Sequence, residues 1–218
     1  MAAERAEASR PSGYRTARME AFSDGVFAIA ITLLVLEIGV PDGSEGDLLG
    51  AVARQWPSYL TYLVSFSTIG AVWLEHTVIT EFLERATPAL IRLNLLLLML
   101  VSFLPFPTRL LGDYIGESDA QRVAVTVYGI NLLLVSSVVA LMWRYAVWQR
   151  LIRTEAADAD VKLITKRLTP GLAGYALFIA AGLFFPIVAV FGYLVIAVYF
   201  IVPFAALRGA RRAGRSEE

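Results

Sequence analysis

The residues from Arg18 to Ile38 form the stretch that most constrains the fold, because they are apolar for long enough to cross a bilayer yet contain several polar side chains. A membrane-spanning helix needs about 20 mostly apolar residues. Ser23 and Asp24 lie near one end of the stretch, Thr32 at its middle and Glu37 near the other end. Ionisable groups are costly inside such a helix, so they mark a candidate functional site.

The composition of the whole chain also points to a membrane protein. The 218 residues are 57% hydrophobic, with a mean hydropathy of +0.64, which is far more apolar than a soluble domain of this size. The absence of cysteine excludes disulfides and thiolate metal sites, and a single histidine leaves little for histidine-based chemistry. No nucleophile constellation or phosphate-binding loop is recognisable. We therefore predict no enzymatic activity and no cofactor.

We predict an all-α, polytopic membrane protein with six spanning helices. Their expected bounds are about 19–40, 56–79, 88–111, 122–145, 168–187 and 188–207. Together they form one transmembrane domain over residues 18–208. A small, polar tail at 1–17, expected to be disordered, precedes this domain, and a basic tail at 209–218 follows it. Pro186 and Gly192 are the only helix-breaking residues in the apolar run that contains the junction of the last two spans, and we interpret these spans as a tight hairpin.

The placement of lysine and arginine predicts the orientation, since cytosolic loops of membrane proteins carry an excess of both. With a cytosolic N-terminus, all but three of the 19 basic residues fall on the inner side, and the exceptions are Arg54, Arg109 and Arg122. We therefore expect both termini in the cytosol. The basic C-terminal tail favours contact with anionic lipids as a topology determinant, and nucleic acid is not an expected partner.

Helical periodicity divides the first span into two sides. At 100° per residue, Ile29, Leu33 and Leu36 share one aliphatic face, with Thr32 on its flank. Such a face usually contacts lipid or packs in a core, and a helical threonine usually returns its hydroxyl to a carbonyl one turn back. A pore lining is the third interpretation, which periodicity alone does not select. Asp24 points about 140° away from Ile29 and must face another part of the bundle.

Depth in the membrane indicates a partner for Asp24. His76, on a second span that runs in the opposite direction, lies at a similar depth in the inner half of the bilayer. Pairing the aspartate with a histidine or arginine would offset much of the cost of burying its charge. Ser23, Trp73 and Asn94 are further candidates for this cluster. The residues alone leave open whether it is a structural or gating network or a site that handles ions or protons.

The first span resembles the opening of a known family of potassium channels. The Arg-x-x-x-Phe-Ser-Asp signature of the transmembrane protein 175 family, which comprises lysosomal and prokaryotic channels, is matched by Arg18, Phe22, Ser23 and Asp24. Trp73 and His76 match a second family pattern on the second helix. The resemblance implies a homotetramer with a central pore that is lined by the first helix and has no carbonyl selectivity loop.

The resemblance also implies roles for individual residues. The pore constriction maps to Ile29, Leu33 and Leu36, and the hydroxyl that contributes to potassium preference maps to Thr32. Permeant K⁺ would contact Thr32 transiently, with no tightly bound metal. The polar network that braces and gates the channel maps to Arg18, Ser23, Asp24, Trp73 and His76. Separately, Glu37 is expected at the outer mouth, where an acidic side chain raises the local cation concentration.

We therefore expect a modestly selective, potassium-permeable leak-type channel in a prokaryotic plasma membrane, with membrane lipids and monovalent cations as its other partners. A hydrophobic constriction of this kind closes by dewetting. The alternative is a proton-coupled secondary transporter or a proton-permeable channel that uses Asp24 and His76. Transporters usually show internal repeats or broken helices in matching halves. The first span contains no proline and the chain shows no convincing repeat, which favours the channel.

Overall fold

The structure is a computed structural model that describes residues 16–39, 46–116, 118–154 and 158–215, with side chains as far as residue 202 except those of 118, 169 and 170. Most of the predicted polar tail at 1–17 lies outside the described residues, as does the end of the basic tail at 216–218.

The described residues are almost entirely helical. Their helices are α1 (Thr16–Leu33), α2 (Leu48–Arg54), α3 (Trp56–Phe82), α4 (Pro88–Phe103), α5 (Pro105–Tyr114), α6 (Ser118–Trp148), α7 (Asp158–Gly182) and α8 (Pro186–Arg215). A 3-10 turn at Leu34–Glu37 extends α1. The expectation of an all-α membrane protein agrees with this architecture.

Four segments are long and apolar enough to cross a membrane, and a fifth is apolar but shorter. The four are Thr16–Glu37, Trp56–Phe82, Pro88–Tyr114 and Asp119–Trp148, and the shorter helix is Pro186–Val202. The remaining long helix, α7, begins well before the predicted start at 168, and its first turn carries Asp158 and Asp160. The six-span arrangement therefore stays a prediction.

Proline explains where the helix boundaries differ from the expected ones. The stretch predicted as one span over 88–111 consists of α4 and α5, which meet at Leu104 ahead of Pro105. A proline inside a helix lacks an N–H donor and crowds the preceding turn, whereas a proline in the first turn costs little. Pro186 likewise begins α8, so the final reversal lies at 183–185, before the predicted boundary at 187.

The core of the protomer lies among its later helices. α6 packs against α4, α5 and α7, while α8 packs against α3 and α7. Trp143, Tyr128 and Tyr193 are among its largest fully buried side chains. A Cβ atom at Gly129 would overlap Tyr193, so this glycine permits the close approach of α6 and α8.

One helix stands apart from this core. α1 packs against α3 and α4, and its 3-10 extension contacts α3 and α5. Only 28% of its membrane-length segment is buried, against 56% for the corresponding segments of α3 and α6. The helix that carries the candidate site therefore lies at the edge of the protomer, with most of its surface uncovered.

Candidate functional site

One face of α1 is buried against its own protomer. Its buried side chains recur every three or four residues and continue into the 3-10 turn, at Met19, Ser23, Phe27, Ala30 and Leu34. Spacing of this kind places all of them on one side of a helix. Small residues such as Ala30 also let the neighbouring helices approach closely, which is how helices associate when lipid is as apolar as their side chains.

The opposite face of α1 carries the residues assigned to the pore. Ile29 is 62% exposed, Leu33 40% and Leu36 73% in the single protomer, and Thr32 is exposed beside them. The structure thus brings these four predicted residues together on one surface and turns that surface away from the protomer core. The core-packing interpretation of the stripe is excluded within the protomer, while a pore and a lipid contact both remain compatible with this exposure.

The hydroxyl of Thr32 is oriented by the backbone of its own helix. Its Oγ1 lies 2.9 Å from the carbonyl oxygens of both Ala28 and Ile29 and donates back to the preceding turn, as expected for a helical threonine. Because the single hydroxyl proton is used there, the oxygen lone pairs remain as acceptors. An oxygen with free lone pairs on an exposed surface suits a cation as its ligand.

Glu37, at the end of the 3-10 turn that follows α1, lies near a cation. Its Oε2 lies 3.9 Å from Nη1 of Arg109 on α5, and Nε of Arg109 lies 3.5 Å from Oδ2 of Asp113. Glu37 is partly buried and Arg109 is exposed. The predicted acidic mouth therefore contains a positive charge that offsets part of the field of Glu37, a contact that sequence analysis missed because α1 and α5 are distant in the chain.

A buried hydrogen-bonded chain joins α1, α3 and α4. Nε2 of His76 lies 2.9 Å from Oδ1 of Asn94, and Nδ2 of Asn94 donates to Oγ of Ser23 at 2.9 Å. Ser23 in turn donates to the carbonyl oxygen of Met19 at 2.8 Å. Since the serine proton is committed to Met19, Asn94 must be the donor to Ser23, which leaves its Oδ1 to accept from His76. The network therefore requires a proton on Nε2 of His76.

Asp24 takes part in a separate contact at the exposed edge between two helices. Its Oδ1 accepts a hydrogen bond from Nε1 of Trp73 on α3 at 2.9 Å. Arg18 is exposed and makes no hydrogen bond or ion pair with the described residues. The network predicted as one cluster is thus divided, with Ser23 and His76 inside, Asp24 and Trp73 at the edge, and Arg18 outside both.

The predicted pairing of Asp24 with His76 does not form among the described residues. Consecutive helical residues differ by 100°, so Ser23 and Asp24 face different directions. His76 is buried on the side of Ser23, where its ring also packs against Phe27 with centroids 5.5 Å apart, while Asp24 is exposed. In the protomer the two side chains therefore have different hydrogen-bond partners, Trp73 for Asp24 and Asn94 for His76.

Further buried polar residues lie away from α1. Oγ of Ser65 is 2.7 Å from Oγ1 of Thr108 and 2.9 Å from the hydroxyl of Tyr128, which links α3, α5 and α6. Glu75 is also buried, next to His76 in the chain. These four residues can be recognised in the sequence as polar side chains within apolar runs, but the sequence does not show which of them are in contact. Within the described residues, no group of three or more His, Cys, Asp or Glu side chains is arranged to hold a metal ion.

Comparison with known proteins identifies relatives of this arrangement. Residues 18–105, which include most of α1 and all of α2, α3 and α4, match the family model described as the endosomal/lysosomal potassium channel TMEM175. A protein from Streptomyces collinus named a potassium channel is 45% identical over 168 residues, covering 73% of this chain and 79% of the relative. A protein of the same description from Chamaesiphon minutus is 45% identical over 168 residues, covering 74% and 82%.

A solved structure has a similar fold. The crystal structure of a lysosomal potassium-selective channel TMEM175 homologue from Chamaesiphon minutus superimposes with a TM-score of 0.78 at 40% sequence identity. The superposition covers 87% of this chain and 97% of that one. The likeness in fold therefore extends well beyond the segment that the family model matches.

Proposed function

This chain belongs to the TMEM175 family, and on that basis we propose that it is a potassium-permeable, modestly selective, leak-type cation channel. The family and the similar proteins are ion channels and not enzymes, in agreement with the prediction of no enzymatic activity. The several long apolar helices make it a multi-pass membrane protein. Its permeant ion is K⁺, in keeping with the names of its relatives.

The channel in this proposal is a homotetramer in a prokaryotic plasma membrane. One protomer exposes a single copy of α1 at its edge, and one helix cannot enclose a path for an ion. Four copies around an axis bring four α1 helices together and cover the surface that each protomer leaves open. In this arrangement each chain crosses the membrane six times, and both termini lie in the cytosol, where the basic residues concentrate.

The observation that carries the proposal is the exposure of Ile29, Leu33 and Leu36 opposite the buried face of α1. In a tetramer these side chains form three aliphatic rings stacked over about 10 Å along the axis. Rings of this kind exclude water when narrow and close the path by dewetting. A small outward movement of α1 then rehydrates the constriction and admits K⁺.

Thr32 supplies the polar contact within this aliphatic path. Four hydroxyl oxygens, each with its proton donated to the helix backbone, replace part of the water shell of a passing cation. K⁺ loses hydration water more readily than Na⁺, so this ring favours K⁺. The selectivity is modest because a few hydroxyls substitute for only part of the shell.

Chemical accessibility tests this assignment against a lipid-facing α1. The chain contains no cysteine, so single substitutions such as Ile29→Cys and Leu36→Cys provide the only thiol in the protein. A water-soluble, charged thiol reagent is expected to modify both and to block K⁺ currents in planar bilayers. Leu134→Cys on α6, an exposed apolar position away from α1, is the control. Equal, slow modification of all three without block would contradict the pore.

The proton-coupled alternative has less structural support. A relay through Asp24 and His76 needs contact between them, whereas Asp24 accepts from Trp73 and His76 bonds with Asn94. Flux measurements separate the two functions. Unitary current steps are expected for a channel, while slow, saturable exchange that depends on a proton gradient would establish a transporter.

A further inference from the structure

One face of α6 is apolar, exposed and not used by the proposed pore. It carries Val123, Ile130, Leu134 and Leu141, which recur at helical spacing and are all exposed in the protomer. The first and last of them lie about 27 Å apart at helical rise, close to the thickness of about 30 Å of the hydrocarbon core of a bilayer. The sequence over 123–143 contains no charged residue, so this face suits contact with acyl chains.

Charged and aromatic side chains continue this face at the end of α6 that leads to α7. Arg144 and Trp148 follow Leu141 by three and seven residues, which places them on the same side of the helix. Both are exposed, and the exposed fraction of Trp148 is 75%. Within the part of the chain that the structure describes, Arg144 makes no hydrogen bond or ion pair. Tryptophan and arginine commonly mark the level of the lipid headgroups.

The Trp148 ring is supported from within the protomer. It lies edge-on to the ring of Tyr145, with centroids 6.3 Å apart, and the hydroxyl of Tyr145 is 3.2 Å from Oγ1 of Thr87. Thr87 caps the start of α4, where its Oγ1 accepts from the N–H of Leu90. A ring contact and a hydrogen bond therefore connect the exposed indole to a second helix.

The arginine that follows α6 has an unusual backbone conformation. Arg150 has a φ of 54°, in the left-handed region that glycine usually occupies just after a helix. Its N–H donates to the carbonyl oxygen of Val147 at 3.1 Å, and the N–H of Leu151 donates to that of Ala146 at 2.9 Å, which is a Schellman motif. Because glycine would adopt this conformation at less cost, the strain indicates a role for the arginine side chain.

The chain after this arginine is fixed by the connection between α3 and α4. The N–H of Glu84 donates to the carbonyl oxygen of Leu151, and the N–H of Arg153 donates to that of Phe82, each at 2.9 Å. Leu151 is buried, whereas Arg150 is exposed. The Arg150 guanidinium bonds with none of the described residues, so a fixed backbone presents an available cation.

We propose that Arg144, Trp148 and Arg150 bind the headgroup phosphate of an anionic phospholipid whose acyl chains lie along the apolar face of α6. The two guanidinium groups donate to the phosphate oxygens, and their positive charge favours an anionic lipid over a zwitterionic one. The indole lies beside them at headgroup level. Only the assignment of this site to the inner leaflet rests on the orientation proposed above, and binding does not depend on the pore.

The composition of the face favours a lipid over a second copy of the chain. Membrane helices that pack against each other use small residues for close approach, whereas the four exposed positions named on this face carry only valine, isoleucine and leucine. Two arginines at its end would also place like charges at a contact between copies. An anionic headgroup removes that repulsion.

Tryptophan fluorescence of the full-length protein in liposomes tests the site. Brominated acyl chains quench nearby indoles, and subtracting the signal of the matching Trp148→Phe protein isolates Trp148. We expect brominated phosphatidylglycerol to quench this signal with a several-fold higher apparent affinity than brominated phosphatidylcholine. The preference should disappear in the double variant Arg144→Gln, Arg150→Gln. It should persist in the control Arg122→Gln, at the opposite end of α6.

Arg150→Gly separates lipid binding from folding. Glycine suits the left-handed backbone, so the unfolding midpoint should not fall, while the preference for phosphatidylglycerol should decrease several-fold. Arg150→Lys keeps the positive charge and should retain more of the preference than Arg150→Gly. An undiminished preference in Arg150→Gly would overturn the proposed site.

Other outcomes of the quenching experiment also decide the question. Equal quenching of wild-type Trp148 by the two lipids would refute the headgroup site, and quenching by neither would show that another copy covers this face. Added inorganic phosphate should act no more strongly than sodium chloride of equal ionic strength, and stronger competition would assign the site to free phosphate instead. Because quenching requires no ion current, an intact lipid preference in a protein without K⁺ currents would refute only the proposed channel.

Discussion

The indole N–H of Trp73 donates to the carboxylate of Asp24 at 2.9 Å, so the edge of α3 is joined to α1 by a hydrogen bond to a charged group. Asp24 is exposed in the protomer and Trp73 is only partly covered. The contact lies beside the buried chain of His76, Asn94 and Ser23, which joins α4 to the same two helices. Two independent polar contacts therefore orient α1 against its protomer.

Removing the hydrogen bond between Trp73 and Asp24 should weaken the packing of α1 against α3. Trp73→Phe deletes the donor, while Asp24→Asn keeps an acceptor oxygen but removes the charge that strengthens the bond. We expect a coupling energy of about 0.5–1 kcal/mol between the two positions, as is typical of hydrogen bonds between membrane helices. A double-mutant cycle on the stability of the purified oligomer measures it. Strictly additive effects would mean that the bond does not brace α1.

Removing the His76 side chain should lower the stability of the protein more than removing the hydrogen bond between Trp73 and Asp24 does. His76→Ala leaves Oδ1 of Asn94 buried without its donor and creates a cavity beside Phe27. We expect a loss of about 2–3 kcal/mol in stability. His76→Gln, which retains a donor of similar reach, is the matched control and should recover part of this loss. Wild-type stability and open probability in His76→Ala would refute a role for the buried chain.

Thr32→Ala is expected to lower the permeability of K⁺ relative to Na⁺ several-fold, because it removes the ligand oxygen from the proposed path. Thr32→Ser keeps the hydroxyl and should preserve the preference, which separates the oxygen from the methyl group. Reversal potentials under bi-ionic conditions measure both variants. An unchanged potential in Thr32→Ala would remove Thr32 from the selectivity mechanism.

Polar substitution of the aliphatic rings is expected to increase conduction. Ile29→Asn or Leu36→Asn places four amides at the constriction, which favours water there and lowers the barrier that dewetting imposes. Single-channel recordings should show higher conductance or open probability in both variants. Leu134→Asn on α6 is the control for a polar group on an exposed apolar surface. If all three variants conduct like the wild type, the narrow point lies elsewhere.

Interactions within one helix were the ones most accessible from sequence. The return of the Thr32 hydroxyl to the preceding turn depends only on local helix geometry, and it was predicted correctly. The grouping of Ile29, Leu33 and Leu36 on one face follows from periodicity alone. The break at Leu104, ahead of Pro105 and inside the predicted span 88–111, has an equally local cause in the proline, which the sequence analysis did not consider.

Interactions between helices were less accessible. Matched depth predicted a contact between His76 and Asp24, whereas in the structure Asp24 accepts from Trp73 and His76 bonds with Asn94. The contact of Glu37 with Arg109 joins residues that no sequence pattern relates. Each depends on the orientation of two helices about their axes, which packing of the whole bundle sets.

The sequence by itself determined that this chain is a helical membrane protein, that its first helix has two unlike faces, and that this helix resembles those of TMEM175 channels. Only the tertiary structure decided which face is covered. Hydrophobic periodicity reports that side chains share a direction, whereas burial depends on which neighbours occupy that direction. Because α3 and α4 cover the side of Ser23 and Phe27, the side of Ile29 and Leu36 remains open.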